Sequence, residues 1–320
     1  MVAHYRGYFR WGHRCFLLFS CFPYDNGRSR LYPALFIFQE KNEGTGRMSV
    51  VGVDAGGTLT KIVYKENGRL HFKTFSSEQQ ENVLQWLTLL AKHHKLYITG
   101  GKAEKWGETF PQAHIVGEFI AVCSGAKLLL KEEKSDLKQF ILINIGTGTS
   151  IFKVDENGCE RLLGSGLGGG TFMGLGGLLT GESDYYELVR LSKEGKRELV
   201  DLSVRDVYEA MNSPVPEHLT ASNFAKGDSS SKKEDKLRAL TNMIAETIIL
   251  LASQASQAHK LEHFVFIGST LKSNPALKED LTQFQELLSY TPIFPEKGAY
   301  AGSLGAFEIG REAEHSQNRQ

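Results

Sequence analysis

The stretch that decides the fold begins after residue 48 and reads Ser49-Val-Val-Gly-Val-Asp-Ala-Gly-Gly-Thr-Leu-Thr-Lys-Ile-Val-Tyr64. Its first part is a short β-branched run that ends in a carboxylate, Asp54, which is typical of a buried strand. Glycines follow, and residues 60–64 predict a strand that returns. The sequence therefore predicts a β-hairpin whose turn is rich in glycine and threonine and lies beside an acidic residue.

A similar arrangement recurs about ninety residues later, in Phe140-Ile-Leu-Ile-Asn-Ile-Gly-Thr-Gly-Thr-Ser150. Here an apolar strand is followed by a polar residue, Asn144, and a Gly/Thr turn, and residues 151–154 predict the returning strand. Around the two hairpins the chain carries further apolar strands and amphipathic helices. We interpret this as a weak internal repeat, which predicts an α/β protein with two lobes that begin alike.

The two turns have the chemistry of a nucleotide phosphate site. Glycines let backbone N–H groups approach a phosphate chain closely, and threonine hydroxyls add neutral donors. Asp54 is suited to hold Mg²⁺ through water, because this ion prefers carboxylate and water ligands. Neither turn fits G-x-x-x-x-G-K-[ST], so the chain is not a P-loop protein. A plain glycine hairpin with a solvated Asp54 is the alternative, but two such turns are more specific than one.

A third glycine-rich stretch, Gly164–Gly177, contains a G-x-G-x-x-G match at Gly164, Gly166 and Gly169. No strand-turn-helix context with a downstream ribose-binding acid supports a dinucleotide site there. Residues 168–171 instead predict the start of a helix, whose free N–H groups and positive partial charge favour an anion. A tight helix-packing seam is the alternative interpretation.

Two charged residues are candidates for chemistry on a substrate. Glu118 opens an otherwise apolar helix predicted near residues 116–132, and a carboxylate with a raised pKa suits general-base work on an alcohol. Arg161 lies just before the glycine-rich stretch, where a guanidinium can meet a carboxylate or a developing phosphoryl charge. The alternatives are a helix-capping carboxylate and a solvated surface arginine.

Composition argues against several classes of protein and partner. Lys+Arg and Asp+Glu both number 37, and this zero net charge removes the electrostatic argument for nucleic acid as the main partner. No apolar run is long enough to cross a bilayer, so we expect no membrane partner. The ten histidines show no metal-binding spacing. The four cysteines Cys15, Cys21, Cys123 and Cys159 are too scattered for a disulfide framework or a paired zinc motif, which indicates a reducing cytosol.

Residues 1–47 differ in character from the rest of the chain. They show no sustained period of 2 or 3.6, so neither strand nor helix is indicated. We expect either a translated upstream leader, with Met48 as the true start, or a disordered tail, and N-terminal sequencing of native protein distinguishes the two. The remainder predicts a first lobe over residues 48–140, a second lobe over residues 141–311 and a polar tail over residues 312–320.

From Met48 to about residue 310, the chain resembles the bacterial type II pantothenate kinases, which belong to the acetate kinase/sugar kinase/Hsp70/actin superfamily. The motifs that carry the resemblance are V-G-V-D-A-G-G-T-L-T-K at 51–61, N-I-G-T-G-T-S at 144–150, G-G-G-T-F-M-G-L-G at 168–176, H-L-T-A-S-N-F at 218–224 and F-I-G-S at 266–269. The resemblance implies a two-lobed actin-like ATPase fold, which is ribonuclease H-like, with duplicated mixed sheets flanked by helices. It also implies a cytoplasmic homodimer.

The reaction implied by the resemblance is ATP + pantothenate → ADP + 4′-phosphopantothenate, the first step of coenzyme A biosynthesis. Glu118 is implied as the base that takes the proton of the substrate hydroxyl, and Mg²⁺ is implied beside Asp54 through water. The residues implied around ATP are Asp54, Ala55, Gly56, Gly57, Thr58, Leu59, Thr60, Lys61, Thr147, Gly169, Gly170, Thr171, Phe172, Met173, Tyr185 and Ser269. Those implied around pantothenate are Arg161, Thr220 and Ala221. The pair Thr171-Phe172 is closer to eukaryotic relatives than to some bacterial ones, which leaves feedback by coenzyme A or its thioesters open.

Two other functions stay open at the level of sequence. One is a kinase of the same superfamily that acts on a sugar or an N-acetylhexosamine. The other is a non-catalytic actin-like or Hsp70-like nucleotide switch. The short chain, the lack of a separate peptide-binding domain and the candidate base Glu118 count against the switch. An assay of ADP release with pantothenate and several sugars separates these functions.

Overall fold

The computed structural model describes residues 49–208, 213 and 215–317, and the predicted leader lies outside them. The first sheet consists of β1 (Ser49–Ala55), β2 (Leu59–Glu66), β3 (Arg69–Ser76), β4 (His94–Thr99) and β5 (His114–Ile115). The order across the sheet is β3-β2-β1-β4-β5, with the first three strands antiparallel and the last three parallel. Asn67-Gly68 is a dipeptide from which the sequence predicts a two-residue hairpin turn. It joins β2 to β3, and both residues have the positive φ that such a turn requires.

A second sheet repeats this arrangement. Its strands are β6 (Phe140–Ile145), β7 (Thr149–Asp155) and β8 (Gly158–Ser165), and, after a separate short pair formed by β9 (Leu202–Ser203) and β10 (Thr220–Ser222), β11 (His263–Ile267) and β12 (Thr291–Ile293). The order is β12-β11-β6-β7-β8, again with one antiparallel and one parallel side. Strand β6 thus takes the place of β1, and the predicted internal repeat is confirmed.

Helices flank both sheets. They are α1 (Gln80–Leu90), α2 (Ala103–Thr109), α3 (Glu118–Glu132), α4 (Gly169–Thr180), α5 (Tyr185–Glu194), α6 (Val204–Val207), α7 (Lys233–Gln257), α8 (Pro275–Asp280) and α9 (Ala301–Gln317). Among the described residues, no helix combines the length and the apolar character needed to cross a membrane. Both sheets and their helices belong to one unit, residues 48–320.

Strand β6 is apolar except for Asn144 near its end, because both of its faces are buried. Ile141 and Ile143 point into a cluster formed with α4, α5 and α7, whereas Phe140 and Leu142 point into a cluster formed with α3 and α9. A separate cluster packs α1 and α2 on the first sheet. A continuous apolar run is expected for a strand covered on both sides, and it explains why the alternation of polar and apolar residues is missing here.

Helices α3 and α9 cross at very short range through glycines. A Cβ on Gly125 of α3 would overlap the carbonyl oxygen of Ala301, and a Cβ on Gly305 of α9 would overlap that of Ala121. Gly52 of β1 similarly admits the backbone of α9 at Ser303. The absence of side chains at these three positions lets α9 lie against both the first sheet and α3.

The predicted boundaries differ from the structure in two places. Residues 227–236 are a polar stretch that the sequence predicts as a loop, but helix α7 already starts at Lys233. Helix α9 continues to Gln317, inside the predicted polar tail 312–320. Most of these polar residues face solvent, but Asp235 is buried and accepts a hydrogen bond from the N–H of Lys196 at 2.8 Å. A division near residue 140 separates the two sheets, but α9 returns from the second lobe to pack on β1 and β4 of the first.

One expectation about cysteines is wrong. Cys123 of α3 and Cys159 of β8 form a disulfide, with Cα atoms 6.3 Å apart, although 36 positions separate them in the sequence. The pairing arises because α3 packs against β8, and sequence spacing alone does not reveal such tertiary proximity. Cys15 and Cys21 lie outside the described residues.

Candidate active site

The two Gly/Thr hairpins line one cleft, whose volume is about 460 Å³. Residues 56–59 come from the β1–β2 turn, and residues 146–150 come from the β6–β7 turn and the start of β7. The starts of α3 and α9 and the residues after β11 complete the walls. The structure therefore brings together the two turns that the sequence repeat placed about ninety residues apart.

The carboxylate of Asp54 lies at the base of the cleft, in a niche walled by glycines. Its Oδ2 atom lies 3.3 Å from Nζ of Lys61, the residue opposite it on β2. A Cβ on Gly100 would crowd Oδ1, and a Cβ on Gly302 would lie 3.0 Å from Oδ2. Gly100 also has a φ of +95°, which favours glycine. The niche leaves room beside the carboxylate for hydrated ligands.

Thr99 supplies an independent test of whether this niche fits Mg²⁺. It is fully buried, lines the cleft and pairs with Asp54 across β1 and β4, yet its Oγ1 atom has no hydrogen-bond partner in the described part of the chain. A buried hydroxyl without a partner is costly, and a water held by a cation would satisfy it. One carboxylate with a nearby hydroxyl fits Mg²⁺, which keeps several of its waters.

The second hairpin is fixed by hydrogen bonds to the start of α4. The N–H groups of Gly169 and Gly170 donate to the carbonyl oxygens of Gly146 and Thr147, at 2.8 and 2.9 Å. A Cβ on either glycine of α4 would crowd this hairpin or its neighbour Thr270. These two N–H groups therefore stabilise the turn and are not free to bind an anion. At Gly169 and Gly170 the structure thus agrees with the alternative interpretation, in which the glycines serve tight packing.

Behind Ser269, which lines the cleft, a second set of contacts holds the loop after β11. Thr270 donates from Oγ1 to the carbonyl oxygen of Gly146, and Tyr185 donates from its hydroxyl to the carbonyl oxygen of Thr270 at 2.7 Å. Burial raises the pKa of Tyr185 to about 12, so this phenol stays protonated as a donor. Tyr185 thus supports the cleft wall from behind.

Glu118 opens α3 on the cleft wall, as predicted. It is exposed to the open cleft, and its carboxylate has no hydrogen bond or ion pair with any described residue. The cleft walls still displace part of its hydration, and this desolvation raises the pKa of Glu118. The negative charge of Asp54 raises it further, whereas the positive charge of Lys61 lowers it. A carboxylate with a raised pKa and no partner is suited to accept a proton.

Arg161 on β8 lines the same cleft as Glu118. Its Cζ atom lies 5.4 Å from the ring centroid of Phe119, the residue that follows Glu118. The guanidinium has no acidic partner among the residues that the structure describes. An unpaired guanidinium beside a candidate base is well placed to bind the carboxylate of a substrate.

The structure brings half of the predicted site residues to the cleft. Those that line it are Asp54, Gly56, Gly57, Thr58, Leu59, Lys61, Glu118, Thr147, Arg161 and Ser269. Ala55 and Thr60 pair with each other and are buried behind the turn, and Phe172 is a core residue at 2% exposure. Thr171 and Met173 lie on α4 outside the lining. The sequence argument missed Thr99, and strand order alone places that residue beside Asp54.

Thr220 and Ala221 do not line the cleft of their own chain. Both lie on β10, which pairs with β9. The hydroxyl of Thr220 accepts a hydrogen bond from Arg197 at 3.0 Å and another from Asn242 at 3.2 Å. Within one copy of the chain, these two residues therefore belong to a polar network beside α7 and not to the pocket with Glu118.

Solved structures share the two-lobed arrangement. The activator of the 2-hydroxyisocaproyl-CoA dehydratase from Clostridium difficile, with bound ADPNP, has a TM-score of 0.58 at 19% identity, covering 85% of this chain and 98% of that chain. A ROK family glucokinase from Streptomyces griseus, in complex with glucose and AMPPNP, has a TM-score of 0.51 at 12% identity, covering 82% and 99%. This likeness confirms the predicted actin-like ATPase fold, so the fold and its cleft define a two-lobed protein of the actin-like class.

Sequence comparison identifies the family within that class. The Fumble family matches residues 65–308. A type II pantothenate kinase from Oceanobacillus iheyensis is 44% identical over 262 residues, which cover 81% of this chain and 98% of the relative. Another from Bacillus cereus is 37% identical over 265 residues, covering 81% and 96%. The chain belongs to the Fumble family and, within it, to the type II pantothenate kinases, as the resemblance predicted.

Proposed function

We propose that the chain transfers the γ-phosphoryl group of ATP to the hydroxyl of pantothenate, giving ADP and 4′-phosphopantothenate. Two relatives that align with this chain over 98% and 96% of their own length are named for this activity. The structural observation that supports it most is the meeting of both Gly/Thr hairpins in one cleft with Glu118. In the reaction, the hydroxyl oxygen forms a bond to the γ-phosphorus, the bond from that phosphorus to ADP breaks, and Glu118 accepts the hydroxyl proton.

The two hairpins position the phosphate chain by backbone N–H groups and threonine hydroxyls. Thr58 comes from the first turn and Thr147 from the second, so both lobes bind the phosphate chain. Asp54 and Thr99 are the residues that would hold a hydrated Mg²⁺, and the ion would neutralise charge that develops on the phosphates. Lys61 fixes the position of the Asp54 carboxylate through their ion pair.

Glu118 and Arg161 act on the acceptor. Arg161 binds the carboxylate of pantothenate, and this contact orients the hydroxyl at the other end of the substrate toward Glu118. Phosphoryl transfer requires positioning and charge stabilisation more than covalent chemistry, so a fixed acceptor and a nearby base are the main contributions of this side of the cleft.

The decisive experiment measures ADP release with pantothenate, glucose and N-acetylglucosamine as separate acceptors. Turnover that depends on pantothenate is the expected result, and turnover with a sugar alone would instead establish the sugar-kinase alternative. ADP release that no acceptor stimulates, together with nucleotide-dependent polymerisation, would establish the switch.

Replacing the base provides a second test. Glu118→Gln should lower kcat by about a hundredfold or more, because the amide cannot accept the proton. The KM for ATP should stay near the wild-type value, since Glu118 forms no hydrogen bond or ion pair with the described residues of the two hairpins. Near-normal turnover by this variant would remove Glu118 from the catalytic role.

We further propose that the active protein is a homodimer in which Thr220 and Ala221 of one copy reach the pantothenate end of the other copy's cleft. Support comes from the apolar groove beside Thr220, where Val215, Leu250 and Leu287 are each about half exposed. Large apolar side chains grouped at a surface are typical of protein interfaces.

Mixing two inactive variants tests this dimer directly. Glu118→Gln contains intact Thr220 and Ala221, whereas the pair Thr220→Arg and Ala221→Arg leaves Glu118 intact. After unfolding and refolding together, mixed dimers should regain up to about a quarter of wild-type activity, because one composite cleft then carries all groups. A monomeric mass in light scattering, or no recovery on mixing, would contradict the shared site.

We place the reaction in the cytoplasm, where ATP is available. Coenzyme A and its thioesters contain the pantothenate-derived arm, so feedback by them would act in this cleft. Titrating coenzyme A and acetyl-coenzyme A against pantothenate turnover tests it: competitive inhibition would establish the feedback, and full activity at saturating thioester would exclude it.

A further inference from the structure

A β-bulge directs Arg161. Ile151 of β7 pairs with Leu163 of β8, but the next residue, Phe152, pairs with Arg161, so Leu162 is an extra residue on β8. Successive side chains of a strand point to opposite faces, and residues three apart normally diverge. The extra residue places Arg161 and Gly164 on one face, and a Cβ on Gly164 would overlap the guanidinium. Bulges next to active sites commonly re-aim a side chain in this way.

Phe119 provides the opposite wall for this guanidinium. Its ring centroid lies 5.4 Å from Cζ of Arg161 and 5.3 Å from the ring of Phe152, which it meets edge to face. Phe152 is fully buried, so it is a fixed base for the contact, whereas Phe119 is 45% exposed. A large aromatic residue that stays this exposed gains little from burial, but it attracts a cation over its face.

We propose that Phe119 is a positioning residue for Arg161, which it holds at a fixed place relative to Glu118. Phe119 and Glu118 are consecutive residues on the first turn of α3. The same helical turn therefore carries both the base and the aromatic ring that positions Arg161. Because Glu118 acts on the hydroxyl end of the acceptor and Arg161 binds its carboxylate end, both ends are positioned relative to α3. This inference rests on the proposed function, because it takes Arg161 as the partner of the pantothenate carboxylate.

The first test compares two acceptors with the Phe119→Leu variant. Pantothenate carries the carboxylate, whereas pantothenol has an alcohol in its place and the same phosphorylated end. The variant should raise the KM for pantothenate about two- to fivefold, the range of an exposed cation–π contact, while kcat stays within about twofold. The KM for pantothenol should not change. Phe119→Tyr and Phe119→Trp keep an aromatic face and should restore the wild-type KM for pantothenate.

The second test is a double-mutant cycle. Arg161→Gln alone should raise the KM for pantothenate more than Phe119→Leu does, about tenfold or more, because it removes the charged partner itself. If Phe119 acts through Arg161, adding Phe119→Leu to Arg161→Gln causes no further rise. Gly164→Ala displaces the guanidinium from the other side, and it should reproduce the selective loss with pantothenate.

Several results would overturn the inference. An equal rise in KM for pantothenate and pantothenol in Phe119→Leu would show that Phe119 has only a structural role. The same conclusion would follow if the effects of Phe119→Leu and Arg161→Gln on the KM for pantothenate were additive, or if Phe119→Leu left that KM unchanged. The KM for ATP and the Tm of each variant control for misfolding, and Phe119 is exposed enough for both to stay near wild type. Wild-type protein without any pantothenate turnover would instead overturn the proposed function, and this inference with it.

Discussion

The carboxylate of Glu118 titrates under the influence of two neighbours of opposite charge. Desolvation is the largest cause of its raised pKa; Asp54 adds to the shift and Lys61 opposes it. Since only the ionised form accepts a proton, activity should fall as the pH decreases through this raised pKa. The position of the acidic limb of the pH profile therefore depends on the charges around Glu118.

Replacing Lys61 should move that limb. Lys61→Met removes a positive charge that favours ionised Glu118, so the pKa of Glu118 rises and the acidic limb of kcat/KM shifts to higher pH. Lys65 lies on the same strand, is exposed and does not line the cleft, so Lys65→Met is a matched control that should leave the profile unchanged. A shift to lower pH in Lys61→Met would contradict the assignment of the limb to Glu118.

At this scale, sequence predicts the residues of the turns better than the residues behind them. Short motifs contain Asp54, Thr58 and Thr147, and the chemistry of these motifs can be predicted without a structure. Thr99 lies in no motif, and its importance comes from the parallel pairing of β4 with β1. Phe172 belongs to a motif of the family, but it faces the core, because a motif constrains the packing of a helix as well as its ligand contacts.

Among the elements, the crossing of α3 and α9 has the least room for change. Gly125→Ala would place a methyl group against the backbone of α9, and overpacking of this kind costs about 2–3 kcal/mol. We expect the Tm to fall by about 5–10 °C in calorimetry.

A matched control lies on α4. Gly174 has no atom within 4 Å of the position its Cβ would take, so Gly174→Ala should be neutral or slightly stabilising through helix propensity. If Gly125→Ala and Gly174→Ala had equal Tm values, the close approach of α3 and α9 would not be a constraint.

The disulfide between α3 and β8 gives a second prediction for the elements. Oxidised protein should lose about 4 kcal/mol of stability on reduction, as expected for closing a loop across 36 positions. Cys159 is the exposed partner, so Cys159→Ser removes the bond without a cavity, and its denaturation midpoint should not respond to dithiothreitol. A wild-type midpoint that is equal with and without reductant would show that the bond does not form in solution.

The elements that sequence predicts well are those with a local signal. The hairpin at Asn67-Gly68 is predicted by its turn residues, and β6 by its continuous apolar run. The course of α9 and the pairing of Cys123 with Cys159 depend on contacts between segments far apart in the chain. No local pattern encodes such contacts, which is why the predicted division into lobes did not anticipate that α9 returns to the first sheet.

For the whole molecule, the important property is that both sheets contribute a Gly/Thr turn to one cleft. Saturation with a non-hydrolysable ATP analogue at about 100 times its Kd should stabilise the protein by about 2.7 kcal/mol and raise the Tm in a single transition. Chelating Mg²⁺ should reduce this shift in the wild type. In Asp54→Asn, the shifts with and without Mg²⁺ should converge, and a variant that kept the full difference would exclude Asp54 as the residue that holds the ion.

The repeated sheets also have a consequence for the polarity of the bound nucleotide. Asp54 faces Lys61 across its hairpin, and the matching residue of the second sheet, Asn144, faces Ser150. A pseudo-twofold cradle with identical ends would accept a linear polyanion in either direction. In the first hairpin the facing pair is a carboxylate and an ammonium group, whereas the matching pair of the second hairpin is a neutral amide and a hydroxyl. The amide of Asn144 in the place of the acid Asp54 thus breaks the symmetry of the two hairpins, so we expect the triphosphate to bind in one direction only.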